Sequence, residues 1–327
     1  MSLTAVILAA GKSTRMKSRL PKVLHHVCGR PMLHYVLAAC YEAGCARVIV
    51  VVGHGKEQVM ETFRRDTRIQ WVEQVQQLGT GHAVRMCEGH LRAVHGDVLI
   101  LAGDGPLIRG QVLQTLLRAH RDEKAAASMA TAVVEDPTGY GRVVRDENGD
   151  FVEIVEQIDC DERQRQIREV FPSYYCVKSD ALLAALARLT NDNRKGEYYL
   201  TDIYAHIRKA GGKVLAVQAV TAEDVLSVNT RQQLAEVDAV MQDRIQRRLR
   251  EAGVTIVSAS SAYIEDGVTV GRDTVVQPFA FIGRDASIGA DCVIGPFAVV
   301  PRESVVPEGS TIAGNLSPQT ALIGGEA

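Results

Sequence analysis

Residues 3–24, LTAVILAAGKSTRMKSRLPKVL, decide the fold because they join an apolar strand to a turn suited to ligand binding. The apolar run 3–10 predicts a buried strand, and open α/β sheets bind ligands at the carboxyl ends of their strands. Small side chains in such a turn let backbone amides approach a phosphorylated ligand. The candidate nucleotide-binding residues of the turn are Leu8, Ala9, Ala10 and Gly11. Arg15 and Lys22 follow, and they would bring positive charge to the phosphates.

The turn is not a Walker A loop, because that motif requires a glycine where this chain has Val6. Residues 8–33, LAAGKSTRMKSRLPKVLHHVCGRPML, instead resemble the signature of sugar-1-phosphate nucleotidyltransferases. The long form is most similar to the GlmU-type family, whose uridylyltransferase domain makes UDP-N-acetylglucosamine. The resemblance implies Mg²⁺-dependent transfer of UMP from UTP to N-acetylglucosamine-1-phosphate with release of pyrophosphate. It also implies that Arg15 and Lys22 are the catalytic residues.

Composition limits the class of protein. A chain of 327 residues is long enough for two domains, and 46% hydrophobic residues suffice for packed cores. The formal net charge of −2 provides no large basic field, so we expect no nucleic-acid partner. The seven cysteines form no CxxC pair, which favours reduced, buried thiols over a zinc site or a disulfide framework. The sequence has no secretory signal and no apolar run of about 18 residues, so we expect a cytoplasmic protein without membrane contact.

Short aliphatic runs alternate with helical patterns as far as residue 230, which is typical of a doubly wound α/β sheet. The predicted strands are 5–10, 47–52, 69–73 and 98–102. The predicted helices, in which apolar residues recur at three- and four-residue spacing, are 32–42, 82–91 and 111–121. We therefore expect residues 1–230 to form a mostly parallel, Rossmann-like nucleotidyltransferase domain with right-handed crossovers.

A different pattern occupies the C-terminal part of the chain. A long linker helix with a solvated basic face is predicted over 231–253. From Ile264 to Ile312 an aliphatic residue then recurs at every sixth position, mostly with a small side chain two residues before it. This repeat predicts a parallel β-helix over 254–327, in which each aliphatic side chain is buried only when the repeats stack. Resemblance to hexapeptide-repeat proteins implies a short left-handed helix and a homotrimer.

Two residues are candidate metal ligands. Asp104 follows the predicted strand 98–102, so its carboxylate lies at the ligand-binding edge of the sheet, and oxygen ligands suit Mg²⁺. On the residues alone, Asp104 could equally initiate a turn before Gly105. The resemblance assigns Asp104 to the metal, together with Asn229, for which the alternative is an N-cap of the following helix.

The segment 74–82, QVQQLGTGH, resembles the part of the family that recognises uracil. The amide of Gln74 and the backbone near Gly79 and Thr80 can pair with the donor–acceptor edge of the base. The alternative for Thr80 is an N-cap of the next helix. The resemblance also assigns Gly103 to nucleotide binding.

The candidate sugar-binding residues rest on resemblance. The segment 137–142, PTGYGR, matches a turn whose last glycine, here Gly141, presents its backbone to the acetamido sugar. Glu156 matches a carboxylate that accepts sugar hydroxyls, whereas an isolated glutamate is ordinarily a surface residue. The two further candidates are Phe171 and Asn229.

Three positions depart from the family pattern. Phe171 stands where the family carries an asparagine that binds the product, and each lost hydrogen bond is worth about 0.5–1.5 kcal/mol. Ala102 replaces a bulkier residue, and Gly105 replaces a β-branched one. The alternatives are therefore the same reaction on a glucose- or galactosamine-type sugar-1-phosphate, or a catalytically weak regulatory relative that binds nucleotide sugars.

The resemblance also bears on a second activity. Bifunctional relatives continue for more repeats, which carry the acetyl-CoA and acetyltransfer residues. This sequence ends soon after residues 312–315, so we expect acetyltransferase activity to be absent.

Overall fold

The structure, a computed structural model, describes residues 2–314 and divides them into two compact units. One unit contains the chain up to His25 and the segment Met32–Thr230. The other contains His26–Pro31 and the chain from Arg231 onwards. Residues 26–31, which the sequence analysis assigned to the first domain, thus belong to the second unit. Residues 315–327 of the predicted β-helix lie outside the described residues.

The elements up to residue 251 are given first. The strands are β1 Ser2–Ala9, β2 His26–Val27, β3 Arg30–Pro31, β4 Arg47–Val52, β5 Ile69–Glu73, β6 Gly96–Ala102, β7 Ala127–Val133, β8 Gly141–Arg145, β9 Phe151–Val155, β10 Glu169–Lys178 and β11 Val214–Gln218. The helices are α1 Met32–Glu42, α2 Lys56–Thr62, α3 Thr80–Arg85, α4 Glu88–Leu91, α5 Gly110–Asp122, α6 Glu162–Arg165, α7 Ser179–Leu186, α8 Ile203–Lys209 and α9 Arg231–Glu251. Short 3₁₀ helices cover Thr14–Met16, Lys22–Leu24 and Leu200–Asp202.

The first unit is built on a nine-stranded sheet with the central order β11-β7-β10-β6-β1-β4-β5. Strands β6, β1, β4 and β5 are parallel, whereas β10 runs antiparallel between β6 and β7. Helices α1 and α5 contribute to the apolar core on one face, and α3, α7 and α8 contribute to the core on the other. The expected doubly wound, mostly parallel Rossmann-like fold is confirmed.

The strand order locates the ligand-binding edge. From central β1 the chain crosses to β4 on one side, and it later returns to β6 on the other side. The carboxyl ends of β1 and β6 therefore form a topological switch point, where open sheets have a crevice. The register pairs Leu8 with Ala102, so the turn after Ala9 lies beside the segment that begins at Gly103.

Most of the predicted elements of this unit are present within a residue or two. The exception is the predicted helix 82–91, which is wrong as a single element. A turn at Met86 and Cys87 separates α3 from α4. At this turn the Cys87 N–H donates to the Val84 carbonyl, three residues back, at 2.9 Å, so the regular i to i−4 pattern is interrupted.

The second unit contains β2, β3, α9 and a series of two-residue strands. These strands are β12 Thr255–Ile256, β13 Tyr263–Ile264, β14 Thr269–Val270, β15 Val275–Val276, β16 Phe281–Ile282, β17 Ser287–Ile288, β18 Val293–Ile294, β19 Val299–Val300, β20 Val305–Val306 and β21 Thr311–Ile312. They form three parallel sheets, β12-β15-β18-β21, β13-β16-β19 and β14-β17-β20. Each strand pairs with the strand 18 residues further on, as in Tyr263 with Phe281. The expected left-handed hexapeptide-repeat β-helix is confirmed.

The hairpin of β2 and β3 is tied to α9. Asp238 of α9 accepts a hydrogen bond from the Cys28 backbone N–H at 2.8 Å, and Gln242 donates to the Cys28 Sγ at 3.2 Å. Arg30 donates to the Asp266 carboxylate at 2.8 Å. These polar contacts explain why a short segment near the N-terminus belongs to the C-terminal unit.

The repeated aliphatic residues form the core of the β-helix. Ile282 and Ile294 are fully buried, whereas Val257 is 53% exposed. Replacing Ile282 by alanine removes buried methyl groups and leaves a cavity, so we expect a loss of about 2–5 kcal/mol in the free energy of unfolding of this unit. Denaturant unfolding followed by circular dichroism measures the loss. The control Val257→Ala should change the free energy by less than about 0.5 kcal/mol, and equal stabilities of the two variants would contradict the prediction.

No helix in residues 2–314 combines the length and apolar character needed to cross a membrane. The cysteines at positions 28, 40, 45, 87, 160, 176 and 292 are buried and carry free thiols. The expectation of reduced, buried thiols is consistent with this arrangement.

Candidate active site

A cavity of about 280 Å³ in the first unit opens at the switch point. Its walls come from the end of β1, the 3₁₀ helix Lys22–Leu24, the segment after β5, and the end of β6. The sequence-predicted residues that line this cavity are Leu8, Ala9, Ala10, Gly11, Lys22, Gln74, Gly79, Thr80 and Asp104. The predicted nucleotide-binding turn and uracil segment therefore face the same space.

The turn after β1 leaves room for a ligand. A Cβ built on Gly11 would meet no protein atom within 4 Å, so the glycine faces open space. Ser13 and Lys17, at the two ends of the following 3₁₀ helix, both have left-handed backbone conformations, with φ of 54° and 47°. These strained residues bend the chain so that Lys22 returns to the cavity wall.

The Gln74 amide is held in place at the cavity wall. Its Nε2 donates to the Gly79 carbonyl at 3.1 Å and lies 3.0 Å from His82 Nδ1. Burial, with the charge of Arg85, lowers the pKa of His82, which favours the neutral ring that can accept this bond at Nδ1. His82 is thus a positioning residue for Gln74, a role that sequence reasoning missed because the two lie eight residues apart.

Gly79 and Thr80 shape the turn that leads into α3. Gly79 is the N-cap of this helix and has φ of 109°, a conformation that disfavours any side chain. Thr80 is the first helical residue, and its hydroxyl accepts a hydrogen bond from Leu200 N–H at 3.1 Å. The alternative of Thr80 as an N-cap is therefore wrong, because the helix begins one residue earlier than that alternative requires.

Two cations and two oxygen ligands converge at the edge of the cavity. The Lys22 ammonium contacts Asp104 Oδ2 and lies 2.9 Å from Asn229 Oδ1. Arg15 Nη2 lies 2.9 Å from the same Asn229 oxygen. The Val228 N–H donates to the Asp104 carbonyl at 2.9 Å, which fixes the segment of Asn229 beside the end of β6. Residues that are far apart in sequence thus form one charged cluster.

The cluster fits a divalent cation. A single positive group, the Lys22 ammonium, touches both Asp104 and Asn229, so one cation can bridge their oxygens. Mg²⁺ commonly takes one or two protein oxygens and completes its shell with water and phosphate oxygens. Within residues 2–314, no group of three or more His, Cys, Asp or Glu side chains could hold a metal. A metal at Asp104 and Asn229 would therefore take its further ligands from water and substrate phosphates.

A second cavity of about 220 Å³ adjoins the first. Ala102, Asp104 and Ser173 line both cavities, so Asp104 lies at their junction. Gly141 and Glu156 line only the second. Burial raises the pKa of the Glu156 carboxyl, and nearby acidic side chains add to this effect. The predicted sugar-binding residues thus share a cavity next to the charged cluster.

Phe171 lines the second cavity but also belongs to an aromatic core. Its ring is 4% exposed and packs edge-on against Tyr175 and Tyr204, with ring centroids 4.8 Å and 6.1 Å apart. An aromatic ring in this place offers the cavity an apolar wall instead of an amide.

Three candidates lie outside the cavity walls. Gly103 packs between strands, where its N–H donates to the Leu8 carbonyl at 2.9 Å, so it supports the nucleotide turn instead of facing the cavity. Arg15 and Asn229 do not line either cavity, and they join the site through their contacts with each other and with Lys22.

Comparison with known proteins identifies two family profiles in the chain. The MobA-like NTP transferase domain matches residues 5–210, and the bacterial transferase hexapeptide (six repeats) matches residues 267–302. The UDP-glucose pyrophosphorylase complexed with UDP-glucose has the same fold, with a TM-score of 0.60 and 16% identity. The likeness covers 75% of this chain and all of that structure.

Curated relatives match most of this chain. The bifunctional protein GlmU of Heliobacterium modesticaldum is 46% identical over 279 residues, and that of Caldanaerobacter subterraneus is 47% identical over 276 residues. These matches cover 85% and 84% of this chain, but the chain spans only 60% of the length of each relative. The chain thus belongs to the family of MobA-like NTP transferase domains, and it is similar to the bifunctional GlmU proteins.

Proposed function

We propose that this chain is a sugar-1-phosphate nucleotidyltransferase that transfers UMP from UTP to N-acetylglucosamine-1-phosphate with the aid of Mg²⁺. The observation that carries the proposal is the convergence of two cations and two oxygen ligands beside two adjoining cavities, in the cluster of Arg15, Lys22, Asp104 and Asn229. The similarity to relatives named GlmU supports the choice of reaction and sugar.

In this reaction a phosphate oxygen of the sugar phosphate attacks the α-phosphorus of UTP, and the bond to the leaving pyrophosphate breaks. A bound divalent ion would neutralise phosphate charge and polarise the α-phosphoryl group. Lys22 and Arg15 offset the repulsion between the two polyanions and stabilise charge in the transition state. With the nucleotide in the first cavity and the sugar in the second, Asp104 would lie between the two substrates, and this arrangement would orient them for attack.

Pyrophosphate release with a panel of nucleotides and sugar-1-phosphates tests the proposal. We expect release to require UTP and a divalent ion, with the highest kcat/KM for N-acetylglucosamine-1-phosphate. A higher value for a glucose- or galactosamine-type substrate would support the alternative sugar, because Phe171 and Ala102 depart from the family pattern in the second cavity. Binding of UDP-sugars without any turnover would contradict an enzymatic role and support a regulatory relative.

Gln74 is expected to contribute to uridine recognition. The variant Gln74→Leu removes the amide held by Gly79 and His82, so we expect the KM for UTP to rise about tenfold, the effect of one or two lost hydrogen bonds. The KM for the sugar phosphate should stay unchanged. Gln111→Leu, on an exposed position of α5, is the matched control. An unchanged KM for UTP in Gln74→Leu would contradict the assignment.

A homotrimer, a cytoplasmic location and the absence of acetyltransferase activity remain predictions for these 327 residues. Exposed apolar side chains on the β-helix support self-association, since Phe279 and Phe297 are 57% and 65% exposed and stack at 5.0 Å. Light scattering gives the oligomeric mass, and consumption of acetyl-CoA with glucosamine-1-phosphate tests the second activity.

A further inference from the structure

Strand β10 contains an irregularity beside the active site. Its register with β7 shifts between Val170 and Tyr174, and Pro172 within this gap has no N–H to donate to a neighbouring strand. Ser173 in the same gap has φ of 66°, in the left-handed region that disfavours residues other than glycine. Bulges next to active sites commonly re-aim a side chain, and residues held in a strained conformation cluster at such sites.

The antiparallel pairing with β6 fixes where this bulge lies. Tyr175 pairs with Ile100, so the residues before Tyr175 run alongside the carboxyl end of β6. Ser173 accordingly lines both cavities, as Ala102 and Asp104 do. Of these three residues, Asp104 is charged and Ala102 has no polar group. Ser173 is therefore the residue that brings an uncharged hydroxyl to the junction.

We propose that Ser173 is a specificity-determining residue whose hydroxyl hydrogen-bonds the substituent on carbon 2 of the sugar-1-phosphate. This inference rests on the proposed function. If the nucleotide and the sugar occupy the two cavities as proposed, a residue that lines both of them lies next to the bond between the phosphate and the anomeric carbon. Within its reach are the ring oxygen and the substituent on carbon 2, and only the latter differs among sugar-1-phosphates. The methyl side chain of Ala102 leaves space for a substituent as large as an acetamido group.

The test compares N-acetylglucosamine-1-phosphate with 2-deoxyglucose-1-phosphate, which lacks a polar substituent on carbon 2. In the variants Ser173→Ala and Ser173→Gly we expect kcat/KM for N-acetylglucosamine-1-phosphate to fall about threefold to tenfold, the range of one hydrogen bond. The value for 2-deoxyglucose-1-phosphate and the KM for UTP should stay unchanged. Ser173→Gly relieves the backbone strain, so it keeps the test informative if Ser173→Ala folds poorly. Ser287→Ala, at an exposed position of the β-helix, is the matched control.

Three other results would contradict the proposed role of Ser173. An unchanged ratio between the two sugar phosphates in both variants would overturn the role of Ser173 and leave the proposed function intact. An equal fall for both sugar phosphates would also overturn it, because the residue would then act on the ring oxygen or on the fold of the site. If the unaltered protein releases no pyrophosphate from any sugar-1-phosphate, the proposed function and this inference both fail.

Discussion

The variant Asp104→Asn is expected to lower kcat by about 10³-fold. Loss of a carboxylate that would hold the metal removes several kcal/mol of transition-state stabilisation. Each loss of about 1.4 kcal/mol lowers the rate tenfold. Asparagine keeps the shape of the side chain and one oxygen, but it loses the negative charge that favours a divalent cation. The variant also leaves the Lys22 ammonium without its carboxylate partner at the cavity edge. Steady-state pyrophosphate release over a range of Mg²⁺ concentrations measures the effect.

Metal binding provides a second, independent measurement. Calorimetric titration of Mn²⁺ into protein with bound nucleotide should show weaker binding in Asp104→Asn, and a melting curve should show an intact fold. The matched control is Asp122→Asn, which changes an exposed carboxylate at the end of α5. A rate within tenfold of the unaltered protein, or equal Mn²⁺ affinity, would remove Asp104 from the metal site.

The buried parallel strands and the stacked repeats were predictable from sequence because each carries a local pattern of aliphatic residues. Strand β4 is buried on both faces, so its sequence is a continuous aliphatic run. Such a run predicts a strand without any knowledge of the neighbouring strands. The β-helix repeats one local rule every six residues, and each repeat confirms the register of the previous one. The ends of β1 and β6 could be placed at one edge because parallel strands share a direction.

Features that depend on distant partners were not predictable. Strand β10 and its bulge are defined by antiparallel pairing with β6 and β7, and no local pattern marks Ser173 as part of the junction. Residues 26–31 join the second unit through contacts with α9, more than 200 residues away in sequence. The contact between Lys22 and Asp104 spans 82 residues, and the sequence could place both residues near one edge of the sheet but could not show that they touch.

The variant Lys22→Met is expected to lower kcat/KM for UTP by about 10²-fold. Methionine keeps much of the apolar stem but removes the ammonium, and a hydrogen bond to a charged group is worth about 1.5–3 kcal/mol. The Lys22 side chain is only 16% exposed, so solvent cannot replace the lost charge fully. Initial rates at varied UTP concentration, with the sugar phosphate saturating, measure the change. Lys209→Met, on an exposed position of α8, controls for the loss of one positive charge.

The same variant separates the role of Lys22 from that of the metal ligands. The ammonium contacts the Asp104 and Asn229 oxygens, so we expect it to compete for the position where a divalent cation would lie. Removal of the ammonium should therefore strengthen Mn²⁺ binding to the substrate-free protein while turnover falls. Asp104→Asn should weaken Mn²⁺ binding, because this variant removes a carboxylate that would bind the metal, whereas Lys22→Met removes a cation that would compete with it. If Mn²⁺ binding weakens in both variants, Lys22 stabilises the arrangement of Asp104 and Asn229 for the metal, and the competition between the two cations is ruled out.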